Sequence, residues 1–476
     1  MRCWNVGPPI RSARNRHQVW QYRSIPAHRV FRGAAYDLKR SDSTNQPPPG
    51  QQGQVGRSGQ RFRAVISNPS YRRLWGIGLT STTMRWMETV ALGIFVFELT
   101  GSPFWVAMTG FLRMMPMLLL SPTIGLIADR TNRKVLMGST MAALSVVYVV
   151  MGLLVATGHV ELWHILVGVT FSGIMWSTDF PVRRAMIGDA VGAGGISTAI
   201  GMDMATSNFS RVIGPLGAGA FLATLGVQAA YFTGSVLFAI GSLLAFSLPH
   251  VAPVSAPGLR SGYFANLAEG FRHVRADRII VITLIITIVM NVFGFPYQHM
   301  VPVIGAETLK VGPLLIGLLL AVEGMGATTA ALIIALKARP GGYTKIYGFG
   351  SLAALAAIVA FSLSPSYWMA LPALLIGGFS MAGFATMQSI IIITSTPAAI
   401  RGRVLGVLAA MIGTGPIGAL LIGGLAVLWG ASNAVTALAV TGLVLTIIPL
   451  AIWPGFLRSS VDPGESSAGI VTEGER

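Results

Sequence analysis

Apolar stretches of about 18 or more residues recur along most of the chain, and nothing else in it constrains the fold as much. A stretch of that length spans the hydrocarbon core of a bilayer as a helix. Only helices and closed barrels can satisfy their own backbone groups there. Twelve spans are expected, within 74–98, 104–127, 135–156, 162–180, 197–224, 230–248, 279–301, 313–337, 346–363, 367–395, 404–428 and 433–453. Only 11% of the 476 residues are charged and 53% are hydrophobic, so a soluble enzyme is excluded.

Net charge is +17, and roughly ten units of it fall in the first 66 residues. Most of the rest sits in alternate connections: Arg72 and Arg73, Arg130 to Lys134, Arg183 and Arg184, the 250–278 segment, Lys337 to Lys345, Arg401 and Arg403, and Arg458. This alternation is the positive-inside pattern of a polytopic membrane protein. It places both termini in the cytoplasm and leaves no need for a nucleic-acid partner. The single cysteine, Cys3, excludes internal disulfides and multi-cysteine metal sites, and no phosphate-binding Gly-x-x-x-x-Gly-Lys loop is present. No cofactor, metal or catalytic group is expected.

The expected division is a disordered basic arm at 1–66, six helices over 67–249, a linker at 250–278, six helices over 279–457, and a disordered tail at 458–476. The arm either touches anionic lipid or precedes a true start near Val65. In the linker, Phe264, Leu267, Phe271 and Val274 recur at helical spacing, predicting an amphipathic helix that lies on the inner leaflet or packs on protein. The two halves resemble copies of one another. Aligning Pro103 with Pro313 sets Arg113 opposite Glu323, and Gly214-Pro215 matches Gly415-Pro416.

Ionisable side chains at membrane depth cost roughly 2.5–3.5 kcal/mol each on insertion scales, so each is a candidate for function. Arg85 and Glu88 share one face of the first span. Arg113 lies in the second, Asp179 ends the fourth, Asp203, Asn208 and Arg211 lie in the fifth, and Glu323 lies in the eighth. Asn291 and Gln388 are polar without charge. Mutual neutralisation inside the bundle is the plain reading of any one of them. The whole set points to a polar central pathway.

Two motifs sharpen this. Gly125-Leu-Ile-Ala-Asp129-Arg130-Thr-Asn132-Arg133-Lys134 is a tight basic hairpin, either a topology anchor or a latch that opens as bundles rock. It resembles the loop between the second and third spans of the major facilitator superfamily, with Asn132 at a position usually held by glycine. Asparagine tolerates the left-handed backbone that glycine would supply. Gly201, Ser210, Gly214-Pro215, Ala218 and Gly219 in span 5 resemble the superfamily's antiporter signature, with Ser210 and Ala218 replacing two glycines. The Gly-Pro step should kink the helix. Asn68 to Trp75, Phe97 to Pro103, a loop at Phe180 to Ala185 and Pro397 to Val404 add to the resemblance, which is nearest to the branch of the enterobactin exporter and drug-efflux permeases.

That resemblance implies an all-α polytopic membrane protein of the major facilitator fold, two pseudo-symmetric six-helix bundles in the cell membrane. Spans 1, 2, 4, 5, 7, 8, 10 and 11 would line or flank a central cavity. It implies a non-enzymatic, monomeric secondary transporter exporting a small drug-like or siderophore-like molecule by alternating access, in exchange for protons. An importer of the same fold and a non-transporting scaffold or lipid-handling protein are the alternatives. Proton coupling falls to carboxylates, Glu88 first, then Glu323, then Asp203. Arg85 and Arg113 would tune them, and Asn208, Arg211, Asn291 and Gln388 would line the cavity. No histidine is expected mid-span.

Overall fold

The computed structural model describes residues 62–249, 263–275, 277–397 and 400–458, and gives the main chain alone for 120–130, 180, 193, 263–268 and 340. All of them belong to one unit, Val55–Arg476. The basic arm up to residue 61, the acidic tail after Arg458 and the side chains of Gly125, Asp129 and Arg130 lie outside the described residues.

Helix starts follow from local chemistry. Helix α1 (Pro69–Thr100) is capped by Asn68, whose side chain accepts from the backbone N–H of Ser70 and Tyr71, and it ends at Gly101 in the left-handed region. Helices α2 (Pro103–Arg130) and α3 (Arg133–Ala156) follow. Between them Asn132 is extended, not left-handed (φ −66°), and its side chain accepts from the Lys134 N–H. Asparagine therefore serves this hairpin as an N-cap, with a side-chain acceptor that glycine lacks.

The next helical stretch runs Leu162–Thr224 and is broken only at Gly192, where φ is 62°. We call the parts α4 (Leu162–Gly192) and α5 (193–224). The expected loop at Phe180 to Ala185 is instead helix, with Pro181 inside it. The polar residues there do not turn the chain because Arg183 is buried against two carboxylates. The turn waits for Gly192, which without a Cβ adopts positive φ free of penalty. Around Gly214-Pro215 the backbone dihedrals stay helical, whereas the matching Gly415-Pro416 opens a new helical segment after Ile412.

Beyond α5 come α6 (Val227–Phe246), the linker helix α7 (Tyr263–Val274), α8 (Arg278–Glu307, with a π turn at Met290–Gly294), α9 (Pro313–Lys337), α10 (Tyr343–Ser362), α11 (Tyr367–Ser395), α12 (Arg401–Trp429), α13 (Ala431–Ile452) and the short α14 (Gly455–Arg458). Among the described residues nine segments are long and apolar enough to cross a membrane: α3, α4, α6 and α8 to α13. The other long helices are α1, α2 and α5, and these carry Arg85, Glu88, Arg113, Asp203 and Arg211. Over its described side chains, Pro103–Leu119, α2 is apolar, and in α1 and α5 the charged Glu88 and Asp203 are buried in the protein interior. Exposed Leu243, Leu336 and Leu428 on the other helices face outward, as lipid contact requires.

Within the first half, α3 packs on α6 and α1 on α5 and α6; within the second, α10 and α9 pack on α11 and α10 on α13. Among the described residues, glycines bring the halves together at several seams, including Gly93 of α1 and Gly110 of α2 against Pro302 and His299 of α8. Gly219 of α5 meets Pro313 and Gly317 of α9, and Gly324 of α9 meets the Arg211 carbonyl. Gly423 of α12 meets Phe104 and Ala107 of α2. Small residues let these backbones approach without a side chain between them.

Helix α7 packs on protein over its described side chains. Val274 is buried with Ile280, Val404 and Val407, Gly270 abuts the Arg403 carbonyl of α12, and Glu269 pairs with Arg403 at 2.6 Å. A Cβ at Gly270 would sit 2.8 Å from that carbonyl oxygen. Gly270→Leu should therefore lift α7 off α12, and limited trypsin digestion should cut at Arg272 and Arg275 several-fold faster than in the wild type.

Candidate functional site

Four groups of charges come together inside the helical assembly. Glu88 on α1, 4% exposed, pairs through Oε2 with Arg113 Nη2 on α2 at 2.8 Å, and Ser172 Oγ of α4 donates to the same oxygen at 2.8 Å. Arg113 also donates to Thr89 Oγ1 at 2.6 Å and to the Arg85 carbonyl at 3.3 Å. The cation that neutralises Glu88 is thus Arg113 from the neighbouring helix, not Arg85 from its own. A separation of three residues puts Arg85 on a similar face, but its long side chain turns elsewhere.

That side chain lies on an aromatic face. Its guanidinium carbon is 3.8 Å from the Trp176 ring centroid on α4 and 5.6 Å from that of Trp86. Arg211 of α5 lies over the other neighbourhood of Trp86, at 5.0 Å. An aromatic face holds a guanidinium partly desolvated without neutralising it. Both indoles were passed over in the sequence because tryptophan in an apolar run reads as core or as membrane-interface anchor.

Glu323 on α9, 1% exposed, accepts from Arg211 Nη2 at 2.5 Å and from Gln298 Nε2 of α8 at 3.0 Å, both on Oε1. Its Oε2 and the Tyr297 hydroxyl are both buried, and Tyr297 lies within interaction distance of Glu323. This pair joins α5 to α9, across a seam between the halves. The Glu88 pair, by contrast, lies within the first half. Gln298 had a sequence signal, as a polar residue inside an apolar run. Next to it, His299 of α8 sits against Gly110 of α2, so a histidine does occupy this depth of a span.

The fourth group is Asp179, Arg183 and Asp203. Arg183 pairs with Asp203 of α5 and, at 3.4 Å, with Asp179 one turn back on α4; all three are at most 6% exposed. Ser81 of α1 donates to Asp179 at 3.3 Å, and Asp179 Oδ1 has no partner. Nearby, at the end of the assembly that carries Arg72 and Arg73, Arg133 reaches Asp189 at 3.0 Å and Lys134 reaches the Leu248 carbonyl at 2.7 Å.

Other expected residues scatter. Asn291 donates to the Thr287 carbonyl and Gln388 to the Thr287 hydroxyl, both at 2.8 Å, in a buried network with Tyr347 inside the second half. Asn208 is half-buried three residues before Arg211. Of the span-5 motif, Ser210 bonds to Thr83 at 3.0 Å, Gly214 packs on Trp86 and Met87, Pro215 and Gly219 face α9, and Ala218 is fully buried. Gly201 has no neighbour that a Cβ would meet.

An all-helical assembly with apolar spans, two halves meeting along glycine seams and charges paired across them defines a membrane transporter. The chain belongs to the major facilitator superfamily, in the family described as transmembrane secretion effector, whose model matches residues 62–465. It is 22% identical to the staphyloferrin A transporter of Staphylococcus aureus over 76% of this chain and 91% of that one. It is 26% identical to the enterobactin exporter EntS of Escherichia coli over 68% of this chain and 78% of that one. Among solved structures, a mutant of the nucleoside transporter NupG superposes with a TM-score of 0.66 at 14% identity, covering 81% of this chain and 100% of that one. An inward-facing bacterial homologue of the lysosomal transporter Spinster gives 0.61 at 18% identity, covering 83% and 96%. At such identities the two structures speak for the fold alone.

Proposed function

We propose that the protein exports a small molecule by alternating access, with the outward transfer driven by proton entry. Twelve spans in two bundles of six rock about the seams, with the basic end and both termini in the cytoplasm. The observation that carries the reading is the Arg211–Glu323 pair. It is buried and joins the two halves. Protonation of Glu323 would remove the attraction that ties α5 to α9, so a proton would change the balance between two arrangements of the same seam. Glu323 therefore takes first place over Glu88, whose pair lies within one half and need not break when the halves move.

The relatives support a first choice of cargo. Two of them are named for staphyloferrin A and enterobactin, so siderophores of those kinds are the first candidates. In inverted membrane vesicles, an acid interior should drive accumulation of one of these probes, and collapse of the gradient should release it. Accumulation driven by an acid exterior would make the protein an importer. Labelling of a cysteine placed at position 265 by an impermeant reagent in intact cells would overturn the orientation.

A further inference from the structure

A small cavity inside the first half separates two of the charge groups. Its lining includes Ser81, Arg85 and Glu88 of α1, Arg113 of α2, and Ser172, Trp176 and Asp179 of α4. Leu144 of α3 and Phe238 of α6 close it with apolar surface. It has room for about two water molecules and enough polar partners to hold them.

The two walls are in register. Glu88 accepts from Ser172 at one level, and Asp179 accepts from Ser81 at the other. Seven residues separate the levels along α1 and along α4, which is two helical turns, or about 10 Å. Two or three hydrogen-bonded waters bridge roughly that distance. Asp179 also brings spare capacity. It shares Arg183 with Asp203, Arg85 and Arg184 lie within electrostatic reach of Asp179 and Asp203 respectively, and the Asp179 Oδ1 is buried without a hydrogen-bond partner.

We propose that this cavity is a proton relay inside the first bundle, carrying protons between Asp179 and Glu88 on a path separate from the cargo route. The inference rests on the reading that a carboxylate in this bundle titrates during transport. In the relay, protonated Asp179 gives its proton to a cavity water. That water passes one on to Ser172 Oγ, and Ser172 gives its own hydroxyl proton to Glu88 Oε2. The net change is Asp179 acid plus Glu88 carboxylate to Asp179 carboxylate plus Glu88 acid, with the serine and waters regenerated. Arg183 and Asp203 then hold the ionised Asp179 ready for the next proton from the basic end.

Other charges facing the path set its selectivity. Arg85 stands between the two levels and Arg113 at the Glu88 level, and the phenols of Tyr148 on α3 and Tyr231 on α6 lie close to Glu88. Two arginines keep metal cations out. They also oppose a free hydronium, so transfer proceeds only toward an ionised carboxylate, whose charge offsets theirs.

Infrared difference spectroscopy on the full-length protein in liposomes, after a rapid pH drop, tests this without any cargo. A carboxylic-acid C=O band absent from Glu88→Gln marks Glu88. In wild type the band should rise promptly. In Asp179→Asn and Ser172→Ala it should reach the same final height but rise about 100-fold more slowly, the scale of a positioned proton-transfer group. Ser172→Thr, which keeps a hydroxyl, should restore the rate. Unchanged rates in Asp179→Asn and Ser172→Ala would overturn the relay while leaving Glu88 a titrating group. No Glu88 band at any pH would overturn the reading beneath it as well.

Discussion

Glu323→Gln should abolish uphill export of a siderophore probe while leaving downhill exchange measurable. Glutamine fills the same volume and can still accept from Arg211 and Gln298, so the seam between α5 and α9 should assemble. What it cannot do is gain and lose a proton. The variant fixes the seam in one charge state, and an imposed pH gradient then has nothing at this site to act on. Proteoliposomes acid on one side should accumulate probe no better than protein-free liposomes, yet exchange labelled for unlabelled probe. Arg211→Ala is the harsher counterpart. It leaves a carboxylate that is 1% exposed without its cation, a loss on the scale of about 3–5 kcal/mol. Reduced yield of folded protein is expected, and Arg211→Ala combined with Glu323→Gln should recover much of it. Full gradient-driven accumulation by Glu323→Gln would remove the seam from the coupling mechanism.

A second large effect is expected where no charge is involved. Gly317 faces the Pro215 carbonyl and the Gly219 backbone, and a Cβ there would collide with main chain that cannot rotate away. Gly317→Leu should wedge α9 away from α5. Overpacking of this kind costs about 1–3 kcal/mol, which moves a two-state equilibrium by roughly 5- to 150-fold. Spin labels at Leu225 and Leu314, both exposed near this end of the seam, should report a longer mean distance, and transport should fall with insertion unchanged. If the label distance stays as in wild type, the glycine contact is not what holds the seam closed.

The all-helical class and the placement of the nine apolar spans were largely legible from apolar run length, because lipid leaves the chain few other choices. Pairing was not. Glu88 and Arg85 share a face in sequence, but side-chain length and the Trp176 surface decide that Arg113 takes the carboxylate. The inter-half pair of Arg211 and Glu323 lies 112 residues apart, beyond any periodicity. Arg183 was misplaced in a loop because basic residues near a proline imitate a helix end. Its two carboxylate partners, one of them on α5, make burial tolerable, and local sequence contains only one of them. Asn132 was read through its backbone tolerance, when its side chain was the functional part.

The same long separation bears on how the protein is made. Ribosomes add about 5–20 residues per second, so Arg211 spends roughly 6–22 s in the nascent chain before Glu323 is synthesised. During that interval α5, which is not among the helices apolar enough to cross alone, carries a guanidinium without its final counter-ion. Insertion of the first half is then provisional. Its fifth helix becomes committed to the bilayer only when α9 arrives, so truncation before residue 323 should yield a half that membrane quality control recognises as unfinished.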